Sequence, residues 1–168
     1  MRKSGILMHI TSLPGPYGVG TMGKNAYAFL EFLHKSGQQS WQMLPLTPTG
    51  YGDSPYQSCS AYAGNPYLID LDTLVRQHLL KKEELLAVDW GNDDTRVDFG
   101  KLYNGRTPIL KLAYSRFRND RALNAFMKKN GSWLNDYALY MALKETHGFA
   151  PWFRWEEELK TRDPEALE

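Results

Sequence analysis

A second cysteine is missing from this chain, and with it any intramolecular disulfide, since Cys59 stands alone. Four histidines, His9, His34, His78 and His147, are too scattered to build metal-ligand spacing with one thiol. The expectation is therefore no metal, no disulfide framework and a reducing compartment. Long apolar runs are lacking too. Gly5 to Met8, behind Arg2 and Lys3, is interrupted by His9 and Pro14, short of the roughly 7–15 apolar residues of a secretory signal. Nothing approaches the roughly 18 of a spanning helix, so a cytoplasmic location and no membrane contact are expected. No sign of charge dominates. With 20 Lys and Arg against 19 Asp and Glu, the formal net charge is +1, which offers no broad field to nucleic acid or an anionic membrane.

What is present is ordinary for a globular protein of one domain: 168 residues, 42% hydrophobic and 23% charged. Aromatics are the exception, at 13%, with ten Tyr, seven Phe and five Trp. Core packing accounts for most such rings. An aromatic face also fits the C–H face of a pyranose, and composition leaves the two open.

Gly5 to Ile10 is a short apolar run ended by the turn-rich Thr11-Ser12-Leu13-Pro14-Gly15-Pro16-Tyr17-Gly18, as expected of a buried strand feeding a loop. Ala26, Phe29, Leu30 and Leu33 follow at helical spacing, with Gly37 where a left-handed cap belongs. Ser40 to Leu46 is the next strand. Strand, crossover helix and strand form a βαβ unit, which requires parallel pairing and a right-handed crossover. The segment from Thr47 to Ser58 fits no regular element and leaves the carboxyl end of the second strand, where α/β folds place ligands.

After Asp72 the pattern is helical. Leu71, Leu74, Val75 and Leu79 share a face, as do Ile109, Leu110, Ala113 and Phe117 behind a Thr107-Pro108 start. Leu134, Tyr137, Ala138 and Met141 form a third stripe, opened by Ser132 and closed near Gly148. The fold class read from this is α/β, with two parallel strands followed by a mainly helical insertion. Its expected divisions are 1–72 with a substrate loop at 47–66, a helical subdomain at 73–148, and a return segment at 149–168. Asp163-Pro164-Glu165 is a helix start near the last residue. That start, and a sheet of only two parallel strands, lead to the expectation of a domain that continues beyond this chain.

Ser4-Gly5-Ile6-Leu7-Met8-His9-Ile10-Thr11-Ser12-Leu13-Pro14-Gly15-Pro16-Tyr17-Gly18, then Trp41-Gln42-Met43-Leu44-Pro45-Leu46, then Thr49 to Ser58, then Gly64-Asn65-Pro66, closely resemble the N-terminal region of amylomaltases, the disproportionating 4-α-glucanotransferases. The likeness is dense over about 75 residues and thins to the Trp152 to Trp155 segment and Arg162-Asp163-Pro164. It implies an eight-stranded TIM-type (β/α)8 barrel of which these are the first two strands, a retaining double displacement on α-1,4-glucans, maltooligosaccharides as partners, and no cofactor. It also implies that Tyr56 packs against a sugar near the cleavage point, that Ser54 lies close to it, and that Tyr51 belongs to a second glucan site outside the cleft. Ile10 stands where many relatives have proline, and Cys59 where many have phenylalanine.

Each assignment has a plainer rival. Tyr56 is otherwise a ring packed under its own loop, and Tyr51 an exposed turn residue between two glycines. Asp53 reads as an Asx-type organiser of the loop, bonding nearby backbone N–H groups, ahead of a catalytic acid, and is kept as a possible sugar contact. His9 is either a buried polar residue at a strand end or a contact to a sugar hydroxyl. Trp152 and Trp155 suit subdomain packing. A retaining transferase needs a carboxylate nucleophile and a carboxyl acid/base about 5–5.5 Å apart. In the family these come from later strands, so no catalytic residue is assigned here, and Asp70, Asp72, Asp89, Asp93 and Asp94 read as caps or solvated surface. The alternatives are a non-catalytic glucan-binding fragment, an inactive remnant, or a helical interaction protein built on the region after Asp72.

Overall fold

The structure, a computed structural model, describes residues 2–167 and falls into two compact units that divide after Arg118. In the first unit, Gly5–Leu7 (β1) and Ser40–Gln42 (β2) pair in parallel, with Gly5 opposite Ser40, Ile6 opposite Trp41 and Leu7 opposite Gln42. Gly5 is required by this contact: a Cβ there would lie 2.5 Å from the Ser40 carbonyl oxygen. Lys24–Lys35 (α1) makes the crossover. The parallel pair and its helix thus follow the sequence pattern.

Both strands are shorter than the apolar runs suggested. After one more bond, from the Met8 N–H to the Gln42 carbonyl at 3.0 Å, the chain leaves the ladder and forms a 3-10 turn at Ile10–Ser12. The amides of Ser12 and Leu13 donate instead to the carbonyls of His9 and Ile10, both at 3.0 Å. Local turn bonds therefore replace strand pairing where the polar Thr11-Ser12 run begins. Nor is β1 buried. Leu7 points to the face opposite Trp41 by strand alternation and is 61% exposed.

Ala26 and Leu33 of α1 are buried, and Phe29 meets Trp41 edge-on at 4.8 Å between centroids. Leu30, expected on the same face, is instead exposed, because the buried arc of α1 is narrower than its apolar stripe. Gly37 has φ +69, and the amide that follows closes the helix by donating to Leu33.

Leu71–Arg76 (α2), Lys82–Leu86 (α3) and Phe99–Arg116 (α4) complete this unit. Asp70 caps α2 by accepting from the Thr73 N–H at 2.7 Å. Leu71, Leu85 and Leu102 are fully buried, and they share a core with Tyr17 and Trp90. Trp90 meets Tyr17 at 5.8 Å and donates its indole N–H to the Leu85 carbonyl at 2.7 Å.

The start of α4 corrects the sequence reading. Its cap is Asp98, accepting from the Lys101 N–H at 3.1 Å, and Pro108 lies inside the helix. Proline removes a helical hydrogen bond and normally costs about 3 kcal/mol. Here Pro108 and Asn104, whose carbonyl loses its donor, face solvent. Leu102, Ile109 and Ala113 on the opposite face bury enough apolar surface to carry the helix through.

The second unit holds Asp120–Asn130 (α5), Leu134–Thr146 (α6) and Glu157–Lys160 (α7). Asn119 caps α5 by accepting from the Ala122 N–H at 3.1 Å. The predicted opening of α6 at Ser132 is not used as a cap, since the helix starts behind Trp133 without side-chain capping. Gly148, with φ +58, closes it as expected. Trp155 is buried and stacks on His147 at 5.2 Å. Asp163 caps the final 3-10 turn by accepting from the Glu165 N–H at 2.9 Å. The division at 118 falls inside the 73–148 stretch. Among the described residues, no helix is long and apolar enough to cross a membrane.

Candidate functional site

The segment between Leu46 and Asn65 carries the candidate site, and it forms no helix or strand. Its shape comes from short-range bonds that the residue types supply. The Gly50 N–H donates to the Gln57 carbonyl at 3.1 Å and closes the loop tip. Inside that ring, the Asp53 N–H donates to Gly50 and the Gln57 N–H to Ser54, both at 3.1 Å, giving two consecutive turns. The first needs a left-handed backbone, with φ +90 at Gly52 and +55 at Asp53. Glycine adopts this freely and aspartate tolerates it.

Downstream, Ser60 Oγ accepts from the amides of Tyr62 and Ala63, and Ser58 Oγ donates to the Ser60 carbonyl at 2.8 Å. Serine side chains thus replace a ladder as partners of the loop backbone. The loop is pinned at its base, where the Asn65 N–H donates to the Leu46 carbonyl at 2.8 Å. Asn65 is buried, and its Oδ1 accepts from the Tyr67 N–H at 2.9 Å, capping the 3-10 turn Pro66–Leu68.

This architecture presents rings outward. Tyr51 is fully exposed and Tyr56 is 73% exposed, so Tyr56 does not pack beneath its loop. Ser54 stands between them in sequence, and its Oγ accepts the Tyr56 N–H at 3.4 Å. The Asp53 carboxylate accepts from the Thr49 hydroxyl at 3.5 Å, a side-chain partner in place of the backbone N–H groups expected of an Asx-type organiser. Burial pushes its carboxyl up from the ordinary value, against the Thr49 hydroxyl that pulls it down. Cys59 is exposed on the same segment.

His9 sits at the carboxyl end of β1. Its Nδ1 is buried without a hydrogen-bond partner, and burial holds the imidazole below its ordinary pKa, which favours the neutral ring. A neutral imidazole offers one donor and one acceptor, the pair a sugar hydroxyl can use.

Of the five aspartates singled out after residue 69, Asp94 is exposed and the other four are engaged elsewhere. Asp70 caps α2 and also accepts from Thr21 Oγ1 at 3.1 Å. Asp72 accepts from the Tyr17 hydroxyl at 2.6 Å and from Lys82 at 3.0 Å. Asp89 pairs with Lys101 at 2.8 Å, and Asp93 with Arg96 at 3.0 Å. None of these partners is a second acid across a cleft, so this group performs capping and ion pairing. Among the described residues no group of three His, Cys, Asp or Glu side chains could hold a metal.

Two residues that shape the loop's base were not anticipated from sequence in this role. Asn65 belongs to a quoted motif, but its bond to Leu46 spans nineteen positions and has no local signature. Arg106 is 1% exposed within the apolar face of α4 and reaches the backbone behind the loop. Its signal in the sequence is an arginine at helical spacing from Leu102 and Ile109 in a helix that starts behind Asp98.

Comparison with known proteins gives a consistent result. The sequence profile of the 4-alpha-glucanotransferase family matches residues 8–168. The 4-alpha-glucanotransferase of Thermus thermophilus is 50% identical over 99% of this chain and 33% of that enzyme. The one from Clostridium butyricum is 45% identical over 96% of the chain and 34% of that enzyme. The solved amylomaltase of Streptococcus agalactiae, in complex with acarbose, superposes with a TM-score of 0.95 at 44% identity, covering 99% of this chain and 34% of that one. The chain therefore spans about a third of the length of these relatives.

Proposed function

This chain belongs to the 4-α-glucanotransferase family, and from that premise we propose that it forms one wall of the glucan-binding cleft of a cytoplasmic amylomaltase. The whole enzyme moves α-1,4-glucan segments between maltooligosaccharides without a cofactor. β1 and β2 are the first two strands of its (β/α)8 barrel, and the 47–66 loop stands at the carboxyl face where barrel enzymes hold substrate. In that barrel, 1–72 is the opening segment, 73–148 a helical insertion and 149–168 the return toward the next strand.

The observation that carries this reading is the outward display of Tyr56 and Tyr51 by a loop whose backbone is bonded shut at its tip. Tyr56 stacks on the C–H face of a sugar beside the scissile bond, with the Ser54 hydroxyl near the same sugar. Tyr51 serves a separate glucan site. His9 and Asp53 are the secondary candidates for sugar hydroxyls, His9 through its neutral ring.

Chemistry follows from what the wall does to water. In a retaining transfer, one carboxylate attacks the anomeric carbon while a carboxylic acid protonates the departing oxygen. The same acid, now ionised, then takes a proton from the incoming nucleophile. Both groups belong to later strands of the complete enzyme. An aromatic shelf that holds an acceptor sugar over the covalent intermediate keeps water out of the attacking position, so transfer outruns hydrolysis.

Exposed rings without a carboxylate pair also support a second reading, a glucan-binding piece with no turnover of its own. The test is disproportionation of maltotriose by the purified 168-residue chain, with and without a separately expressed piece holding the later strands. No glucose release from the chain alone, and glucose plus longer glucans on mixing, is the expected result. Robust turnover by the chain alone would overturn the placement of the acids elsewhere.

A further inference from the structure

We infer that Arg106 is a positioning residue for the glucan-facing loop: sent from the middle of α4, its buried guanidinium fixes where that loop stands on the core. Nε–H donates to the Pro66 carbonyl at 3.4 Å and Nη2 to the Ile69 carbonyl. These two carbonyls bracket the 3-10 turn that Asn65 caps, and the Asn65 amide is the hydrogen bond that closes the loop back on Leu46. The downstream end of the 47–64 loop is thereby hydrogen-bonded to α4 by Arg106, beside the ring contact of Tyr67 with Phe99 at 6.2 Å between centroids.

The placement is chemically unusual. Leu102, Ile109 and Ala113 occupy the same buried face of α4, and an apolar residue among them would carry no desolvation cost. Arg106 is instead 1% exposed, with Nη1 buried and unpartnered. Burial lowers its pKa to about 10, so the charge persists at neutral pH, with Asp70 as a nearby balancing charge. Its rigid fork can hold two backbone acceptors at once, which an apolar side chain cannot do.

The loop's internal bonds, between Gly50 and Gln57 and around Ser58 and Ser60, do not involve Arg106. The arginine therefore sets the location of the loop and leaves its shape to the loop's own residues. Misplacing a correctly shaped loop weakens substrate binding, because ring and sugar no longer coincide.

The inference rests on the proposed reading of the loop, and the experiment separates the two. In the complete enzyme, Arg106→Met, Arg106→Lys and the control Leu102→Ala are compared. Leu102 is fully buried on the same helix face but bonds neither carbonyl. Hydrogen exchange across residues 46–66 and the kcat and KM of maltotriose transfer are measured. Arg106→Met should raise KM at least about tenfold, with a smaller change in kcat, and speed exchange across the loop. Arg106→Lys, whose ammonium keeps several donors, should restore most of both. Leu102→Ala should lower Tm while leaving KM and loop exchange near wild type.

Should Arg106→Met fail to fold, Arg106→Gln stands in for it. A raised KM with Gln and a near-normal one with Lys supports the role, and equal values overturn it. Loop exchange in the Arg106 variants no faster than in Leu102→Ala overturns the anchoring. Faster exchange with unchanged KM sinks the glucan-facing role of the loop, and the inference with it.

Discussion

The 47–64 loop and the helical layer of α2 to α4 solve opposite problems within one compact unit. The loop buries little and spends its hydrogen bonds on its own backbone, so its tyrosine rings stay available. The helical layer buries Leu71, Leu85 and Leu102 completely and uses its carboxylates for caps and ion pairs. Their electrostatics differ in the same sense. Burial raises the Asp53 carboxyl in the loop, whereas the Arg116 guanidinium of α4 and the Lys81 N–H lower that of Glu84 in α3 to about 2. The proposed binding surface and the stable core thus rest on different residues, linked at the 65–70 turn.

The largest effect that tests this division is on stability. Leu85→Ala should cost about 2–5 kcal/mol in chemical denaturation of the complete enzyme, from lost burial and the cavity left behind. Maltotriose KM should stay within about twofold of wild type. A KM rise to match would mean that loop and core are one cooperative element.

Tyr56→Ala should do the reverse. It should lose about 1 kcal/mol or more of transition-state stabilisation, roughly fivefold in kcat/KM, while stability shifts by no more than about 0.5 kcal/mol. Tyr51→Ala should change maltotriose transfer far less, because the separate glucan site proposed for it would act on binding and not on the transition state. Equal and negligible effects of both would remove the sugar site from this loop.

At the junction, Asn65→Ala should show both signatures in small measure. Loss of the cap is worth about 1 kcal/mol, and the base of the loop should loosen, read as a modest KM increase alongside a lower Tm. Pure destabilisation with unaltered KM would place Asn65 wholly on the core side.

The smallest effects are in pH dependence, and their signs should oppose. Glu84 has a depressed folded pKa, so its contribution is present above the unfolded value near 4.5 and is lost as pH falls toward about 2. The Tm gap between wild type and Glu84→Gln should therefore close on acidification over that range. Asp53 has a raised folded pKa, so its charge opposes folding above that pKa, and the penalty vanishes as pH falls below 3.8. Asp53→Asn should raise Tm at neutral pH by more than it does at pH about 3. Parallel pH profiles for the two variants would erase the electrostatic half of the contrast.

Much of this was written in the chain itself. Apolar spacing and the Gly37 cap specify α1, and the two short apolar runs specify a parallel pair. Turn residues from Thr47 to Ser58 specify an irregular loop, since Gly52 and Asp53 suit the left-handed backbone that is found. These are local matters, decided within a few residues. The start of α4 was hidden because Thr107-Pro108 imitates a helix opening, and only the burial of Leu102 and Ile109 shows why the helix runs through it. The short strands, exposed Leu30 and the Asn65 to Leu46 bond depend on partners far along the chain, and so does the placement of Arg106 behind Pro66 and Ile69. Sequence by itself determined which segments could be helix, strand or loop, because propensity and turn chemistry act over a turn or two. Which faces are covered, and what holds the loop in place, was decided only by tertiary structure, since desolvation and backbone pairing depend on neighbours that linear order does not reveal.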